Sequence, residues 1–217
     1  MSVQAVIFDM DGLLLDSEDF WQQAEFEMFS SLGVPLQPGD THKTLGWRCD
    51  DVVRYWYQQA PWLAPTQAEV AVTIIDRVIA LIINRGRLLP GAEQALQLCQ
   101  AAGLPIALAT SSNHKMMLAV LEHFGLSRYF RATCSAEFLP HAKPHPQVYL
   151  NAAAALGVAP EHCLALEDSV TGVIAAKAAR MRCFAVPDAA HQADGRYAIA
   201  DKILRSLTQL QMEDLTA

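Results

Sequence analysis

The feature of this sequence that most limits its fold is an alternation of short apolar runs, rich in β-branched residues, with helical patterns. This alternation predicts βα units and therefore an α/β fold with a doubly wound, mainly parallel sheet. The predicted strands are residues 3–8, 106–109, 131–134, 163–166 and 183–186. The predicted helices of these units are residues 91–102, 114–124, 146–156 and 170–181.

Between residues 17 and 87 the alternation stops, and the pattern is helical throughout. Two groups of apolar residues recur at helical spacing in this segment. They are Trp21, Ala24, Met28, Phe29 and Leu32, and then Val70, Ile74, Ile75, Val78, Ile79 and Ile82. We therefore expect a helical cap domain, residues 17–87, inserted into an α/β core made of residues 1–16 plus 88–217. Pro90 and Gly91 mark the return to the core.

The composition indicates a globular protein and excludes several classes. Of the 217 residues, 52% are hydrophobic, and the net charge of −7 argues against a nucleic-acid partner. The 5 cysteines form no Cys-x-x-Cys pair, so neither a disulfide framework nor a zinc site is predicted. No apolar run approaches the roughly 18 residues that cross a membrane. We expect a cytoplasmic monomer with no nucleic-acid or membrane partner.

Two carboxylates, Asp9 and Asp11, directly follow the first predicted strand in Phe8-Asp9-Met10-Asp11-Gly12. An ionised side chain is costly to bury unless it is paired or binds a metal, and ligands of open α/β sheets bind beyond the carboxyl ends of the strands. The alternative is an ordinary Asp-Gly turn. Polar residues at the ends of the other predicted strands would favour a ligand site over a turn.

Polar residues follow other predicted strands as well. Thr110-Ser111-Ser112-Asn113 follows the second strand, and Glu167-Asp168 follows the fourth. Lys143 lies in a proline-rich loop ahead of a helix. Helix capping explains the hydroxyls by themselves, and an acidic first turn explains the two acids. Taken together, these residues predict a site for a metal and a phosphate.

The four groups resemble the four motifs of the haloacid dehalogenase superfamily, specifically its Mg²⁺-dependent phosphatases with a helical cap after the first strand. Asp9-Met10-Asp11-Gly12 is similar to the first motif, Thr110 to the second, Lys143 to the third and Glu167-Asp168 to the fourth. The resemblance covers essentially the whole chain. Within the superfamily the motifs are most similar to those of bacterial hexitol and 2-deoxyglucose 6-phosphate phosphatases. The resemblance to this superfamily implies a Rossmann-like core and hydrolysis of a small sugar or sugar-alcohol phosphate.

The resemblance also implies a role for each acid. Asp9 would be the nucleophile that forms an aspartyl-phosphate and a ligand of Mg²⁺. Asp11 would bind the metal through its backbone carbonyl and serve as acid and base through its side chain. Asp168 would complete the metal shell, and Glu167 would either bind the metal or support a residue that does.

The implied phosphate-binding set comprises Thr110, the backbone N–H of Ser111 and Lys143. Asn113 either joins this set or caps the following helix, and both readings stay open. The substrate would be a small phosphorylated metabolite.

Residues 45–51 resemble the specificity loop of the cap. Within it, Trp47 and Arg48 would contact the substrate, or else pack within the cap and face solvent.

Three other functions compete with the phosphatase. A β-phosphoglucomutase shares the motifs and the cap, but those mutases carry a histidine at the position of Trp21. Dehalogenases lack an acid at the position of Asp11 and use no metal. A phosphoacceptor receiver has about half this length and no cap.

Overall fold

The computed structural model describes residues 2–44 and 46–216, and within them it contains a six-stranded parallel sheet. The strands are β1 (Ala5–Phe8), β2 (Ile106–Thr110), β3 (Ala132–Ser135), β4 (Cys163–Glu167), β5 (Arg182–Ala185) and β6 (Lys202–Ile203). Their order is β3-β2-β1-β4-β5-β6, and every neighbouring pair is parallel. The predicted fold class is confirmed. The five predicted strands agree with the observed ones to within two residues, whereas the short, exposed β6 was not predicted.

Helices cover both faces of this sheet and form the segment that interrupts the βα pattern. They are α1 (Glu18–Ser31), α2 (Cys49–Gln59), α3 (Gln67–Arg85), α4 (Ala92–Ala101), α5 (His114–His123), α6 (Gln147–Leu156), α7 (Val170–Ala178) and α8 (Met212–Thr216). None of these helices, within the described ranges, has both the length and the apolar character that a membrane crossing requires.

Strand β1 is an apolar run because both of its faces are buried. Val6 and Phe8 contribute to the larger hydrophobic cluster, whereas Ala5 and Ile7 contribute to the second cluster on the other face. Successive side chains of a strand point to opposite faces, so β1 anchors both layers of the core.

Helices α1, α2 and α3 form a bundle in which α3 packs against both of the others. Phe29 of α1 lies 6.0 Å from Trp56 and 6.1 Å from Trp62, measured between ring centroids, and these aromatic rings fill the bundle. Helix α3 begins at a capping box in which Thr66 and Glu69 satisfy each other's backbone N–H groups. The helical pattern of residues 17–87 is thus explained by apolar side chains that extend the larger hydrophobic cluster of Val6 and Phe8 into the bundle.

The two connections between this bundle and the sheet lie side by side. The N–H of Asp16 donates to the carbonyl of Arg87 at 3.1 Å, and the N–H of Leu89 donates to the carbonyl of Leu14 at 2.9 Å. These bonds support the division into a cap of residues 17–87 and a core of residues 1–16 plus 88–217, which stays a proposal. Residues 1, 45 and 217 of that division lie outside the described residues.

Candidate active site

The candidate site lies where the strand order reverses, at the carboxyl ends of β1 and β4. Asp9 directly follows β1, and Asp168 directly follows β4. Ligands of open α/β sheets bind at such a switch point. Gly12 turns the chain here with a φ of 77°, and a Cβ at this position would overlap the Asp168 carboxylate. The turn after β1 therefore requires glycine both for its backbone and for the space beside Asp168.

Lys143 is buried between two carboxylates. Its Nζ lies 2.6 Å from Oδ1 of Asp9 and 2.6 Å from Oε1 of Glu167, and it also donates to the carbonyl of Ala109 at 2.9 Å. Burial disfavours the charged form, but the charges of Asp9 and Glu167 outweigh it and raise the pKa of Lys143 above its usual range. Lys143 therefore remains an ammonium ion, fixed beside Asp9.

Glu167 has both of its oxygens occupied by donors. Oε1 accepts from Lys143 and from the hydroxyl of Tyr149 at 2.7 Å, and Oε2 accepts from the backbone N–H and the hydroxyl of Ser169. A Cβ at Gly172 would overlap this carboxylate, so the start of α7 packs directly against it. Glu167 is fully buried and held in one orientation. Sequence reasoning missed Tyr149, because a tyrosine within an apolar helical pattern resembles any other core residue.

The acids at the strand ends form a cluster that could hold a metal ion. Asp9, Glu167 and Asp168 each place one carboxylate oxygen within 4.8 Å of the others. Burial raises the pKa of Asp9 to about 7 against the lowering effect of Lys143, and burial together with the charge of Glu167 raises the pKa of Asp168 well above its usual range. Lys143 is the one cation that pairs with this cluster in the described part of the chain. An all-oxygen set with excess negative charge fits a hard divalent cation.

Asp11 is held by three side-chain donors. Oδ1 accepts from the hydroxyl of Ser17 at 2.7 Å and from Nε1 of Trp21 at 3.3 Å, and Oδ2 accepts from the hydroxyl of Ser112 at 2.6 Å. Ser17 precedes α1 but makes no capping bond to it, because its hydroxyl is directed to Asp11. Sequence reasoning missed Ser17 and Ser112. The hydroxyl cluster of residues 110–113 was a signal for Ser112, but it did not single out this member.

The hydroxyl cluster after β2 takes several roles. Thr110 is buried, and its Oγ1 accepts the N–H of Ser112 at 3.0 Å. The Ser111 hydroxyl is buried without a hydrogen-bond partner among residues 2–44 and 46–216. Asn113 caps α5, since its Oδ1 accepts the N–H of Met116 at 2.8 Å. The capping role left open for Asn113 is therefore present.

Arg48 connects the helical bundle to the core. Its Nη1 donates to the carbonyl of Ala136 at 3.1 Å and to that of Leu139 at 2.8 Å, while the rest of the guanidinium binds Asp50. Trp47 is 43% exposed and makes an edge contact with Tyr55. Leu45, the first residue of the predicted specificity loop, lies outside the described residues.

A single cavity of about 330 Å³ joins these groups. From the core it is lined by Asp9, Asp11, Thr110, Ser111, Asn113, Lys143 and Asp168, and from the helical bundle by residues that include Trp21, Glu25, Trp47 and Arg48. The structure therefore brings all the predicted site residues except Glu167 to the wall of one cavity. Glu167 lies behind Lys143, outside that wall.

The model of the haloacid dehalogenase-like hydrolases matches residues 3–180 of this sequence. The chain belongs to this family. Hexitol phosphatase B of Escherichia coli K12 is 49% identical over 214 residues, which are 98% of this chain and 96% of the relative. The match confirms the family resemblance predicted from the motifs.

Solved structures of the family share the fold. CbbY from Rhodobacter sphaeroides, determined in complex with phosphate, superimposes with a TM-score of 0.85 at 28% identity and covers 96% of both chains. A β-phosphoglucomutase from Clostridium difficile gives a TM-score of 0.83 at 24% identity, covering 98% of this chain and 95% of the other. The likeness to the mutase concerns the fold alone.

Proposed function

We propose that this protein is a magnesium-dependent phosphatase of small sugar and sugar-alcohol phosphates, with Asp9 as the nucleophile. The near-complete match to a hexitol phosphatase confirms the predicted class, a hydrolase of phosphorylated carbohydrates. The observation that supports the site assignment is that Asp9 lines the cavity, binds Lys143 at 2.6 Å and lies within 4.8 Å of Asp168.

Asp9 and Asp168 would hold Mg²⁺, with the backbone carbonyl of Asp11 as a further ligand. When bound, the ion neutralises negative charge on the carboxylates and on a phosphoryl group beside them. Glu167 has both oxygens engaged by protein donors. Between its two possible roles, we therefore favour support of Lys143 over direct metal ligation.

In the first step, the Asp9 carboxylate attacks phosphorus, and the bond to the ester oxygen breaks. Lys143 fixes Oδ1 of Asp9, and Oδ2 accepts no hydrogen bond from the described residues, so Oδ2 is the oxygen that attacks. Thr110 and the Ser111 N–H would hold the phosphoryl oxygens through the displacement. Lys143, whose three donors bind Asp9, Glu167 and the Ala109 carbonyl, would attract these oxygens by its charge. Water then hydrolyses the aspartyl-phosphate and restores the carboxylate.

Asp11 would give a proton to the departing alcohol oxygen and later take one from the attacking water. Its two serine partners suit both states, because a hydroxyl can donate to a carboxylate or accept from a carboxylic acid. General acid and base catalysis of this kind contributes about 10²- to 10⁴-fold to the rate.

The mutase alternative requires a different group at position 21. An indole N–H only donates, so Trp21 cannot accept a proton as the histidine of the mutases can. This contact favours transfer of the phosphoryl group to water over transfer to a second sugar hydroxyl.

The test is release of inorganic phosphate from a panel of hexose, hexitol and pentose phosphates with Mg²⁺, for the wild type and for Asp9→Asn. We expect turnover by the wild type and none by Asp9→Asn. The matched control is Asp76→Asn, which changes an exposed aspartate that pairs with Lys115 and should keep full activity. Appreciable turnover by folded Asp9→Asn would contradict the nucleophile assignment, and conversion to an isomeric phosphate without phosphate release would favour the mutase.

A further inference from the structure

Glu25 is a buried carboxyl group with no described partner. It belongs to α1, its side chain lines the cavity that contains Asp9 and Asp11, and the residue is only 7% exposed. No side-chain hydrogen bond or ion pair involves its carboxyl within residues 2–44 and 46–216. Burial, together with the charge of Glu18, raises the pKa of Glu25 to about 8. A buried polar group without a partner is costly and calls for an explanation.

The position of Glu25 on α1 places it beyond the reacting groups. Trp21, one helical turn earlier, donates to Asp11 at 3.3 Å. Residues four apart lie on the same helix face, and four residues rise about 6 Å. Glu25 therefore faces the cavity about one turn further from the strand ends than Trp21 does. A group bound there would be several bonds away from the ester oxygen.

The wall that α3 contributes to this part of the cavity is apolar. Ala71, Val72 and Ile75 of α3 line the cavity with apolar side chains. Two further groups of the wall have partners elsewhere, since the Thr44 hydroxyl donates to the carbonyl of Thr41 and the Cys49 thiol donates to that of Ala71. A carboxyl group set in an apolar wall suits a carbon chain that carries hydroxyls.

We propose that Glu25 determines specificity by hydrogen bonding a substrate hydroxyl remote from the phosphate ester. The site would thereby prefer phosphate esters of polyhydroxylated carbon chains over esters of apolar alcohols of similar length. The inference rests on the proposed phosphatase function. A site built to pair with a hydroxyl discriminates strongly against the analogue that lacks it, because the buried polar group is then left unpaired.

The test compares sorbitol 6-phosphate with n-hexyl phosphate, whose chain has six carbons but no hydroxyls. For Glu25→Leu we expect kcat/KM for sorbitol 6-phosphate to fall by about 10- to 100-fold, mainly through KM, while the value for hexyl phosphate stays the same or rises. Glu25→Gln, which keeps a donor and an acceptor, should retain much of the preference. The control is Glu27→Leu on the same helix, where the side chain is exposed and pairs with Arg77.

The possible outcomes separate the two proposals. If the wild type hydrolyses neither ester nor any sugar phosphate, the proposed function fails. If the wild type prefers sorbitol 6-phosphate and folded Glu25→Leu leaves that preference unchanged, the proposed function stands and the role of Glu25 is wrong. An equal loss of kcat/KM for both esters would likewise contradict the specificity role of Glu25, because a merely structural role predicts that result.

Discussion

The indole N–H of Trp21 donates to the Asp11 carboxylate across 3.3 Å and so joins the first helix of the bundle to the loop after β1. Ser17 and Ser112 donate to the same carboxylate over shorter distances of 2.7 and 2.6 Å. The proposed acid and base is thus oriented from both the helical bundle and the core. The contributions of the three donors can be separated by substitution.

Trp21→Phe removes the longest of these bonds and keeps most of the aromatic packing. We expect kcat to fall by about 10-fold or less, because one hydrogen bond contributes about 0.5–1.5 kcal/mol and two donors remain. Ser112→Ala removes the shorter hydrogen bond to Oδ2 of Asp11 and should lower kcat more than Trp21→Phe does. Steady-state kinetics on sorbitol 6-phosphate measure both. Complete loss of activity in a folded Trp21→Phe enzyme would show that the indole has a role beyond orientation.

Lys143→Met leaves the cluster of Asp9, Glu167 and Asp168 without its buried cation. We expect the free energy of unfolding to fall by about 3–5 kcal/mol in urea, the usual cost of breaking a buried ion pair. Lys115→Met is the control, since the pair of Lys115 with Asp76 is exposed and should contribute less than about 1 kcal/mol. Equal effects of the two substitutions would contradict the importance assigned to the buried pairs.

Mg²⁺ should stabilise the folded protein, because the acidic cluster exists only in the native state. At a concentration 100-fold above its dissociation constant, we expect the ion to raise the free energy of unfolding by about 2.7 kcal/mol. Asp168→Asn should largely remove this increment, and Asp76→Asn should keep it. Urea unfolding with Mg²⁺ and with a chelator provides the measurement. A full increment in Asp168→Asn would exclude that residue as a ligand.

Glu25 should give the stability a distinct pH dependence. The pKa of Glu25 is about 8 when folded, against an ordinary value of 4.5, so the folded state holds its proton more tightly than the unfolded state. This stabilisation is complete below about pH 4.5 and is lost as the pH rises towards 8. Glu25→Gln has no such dependence. The stability of Glu25→Gln relative to the wild type should therefore increase from pH 5 to pH 8.5, by up to a few kcal/mol at roughly 1.4 kcal/mol per pKa unit.

Urea unfolding of both proteins at pH 5, 7 and 8.5 measures this difference, and contributions from groups that do not interact with Glu25 cancel in the comparison. Glu27→Gln, whose side chain is exposed on the same helix, should show no comparable trend. A difference between Glu25→Gln and the wild type that does not change with pH would contradict the raised pKa.

Local sequence patterns are enough to predict most of the fold and the polar residues at the strand ends. The βα alternation predicts the strands because parallel strands buried on both faces are apolar runs, and Asp9, Thr110 and Asp168 lie at or directly after them. Strand β6 escaped prediction because its two exposed residues, Lys202 and Ile203, have no pattern of their own.

The missed contacts join residues that are distant in the sequence. Ser112 lies 101 positions from Asp11, and Arg48 reaches carbonyls 88 and 91 positions away. No local periodicity reports such pairs. Glu25 was missed for a related reason: its burial depends on how α1 and α3 pack, whereas in the sequence it is one of several polar residues of an amphipathic helix.

The central position of β1 has a consequence for local unfolding. Val6, Ile7 and Phe8 are paired with β2 on one side and β4 on the other. We therefore expect the amide hydrogens of this strand to exchange with solvent only when the whole sheet unfolds, whereas those of exposed helix ends exchange through small openings. Asp9 directly follows this strand, so we expect the carboxylate to keep its position while the exposed ends of the helices open locally.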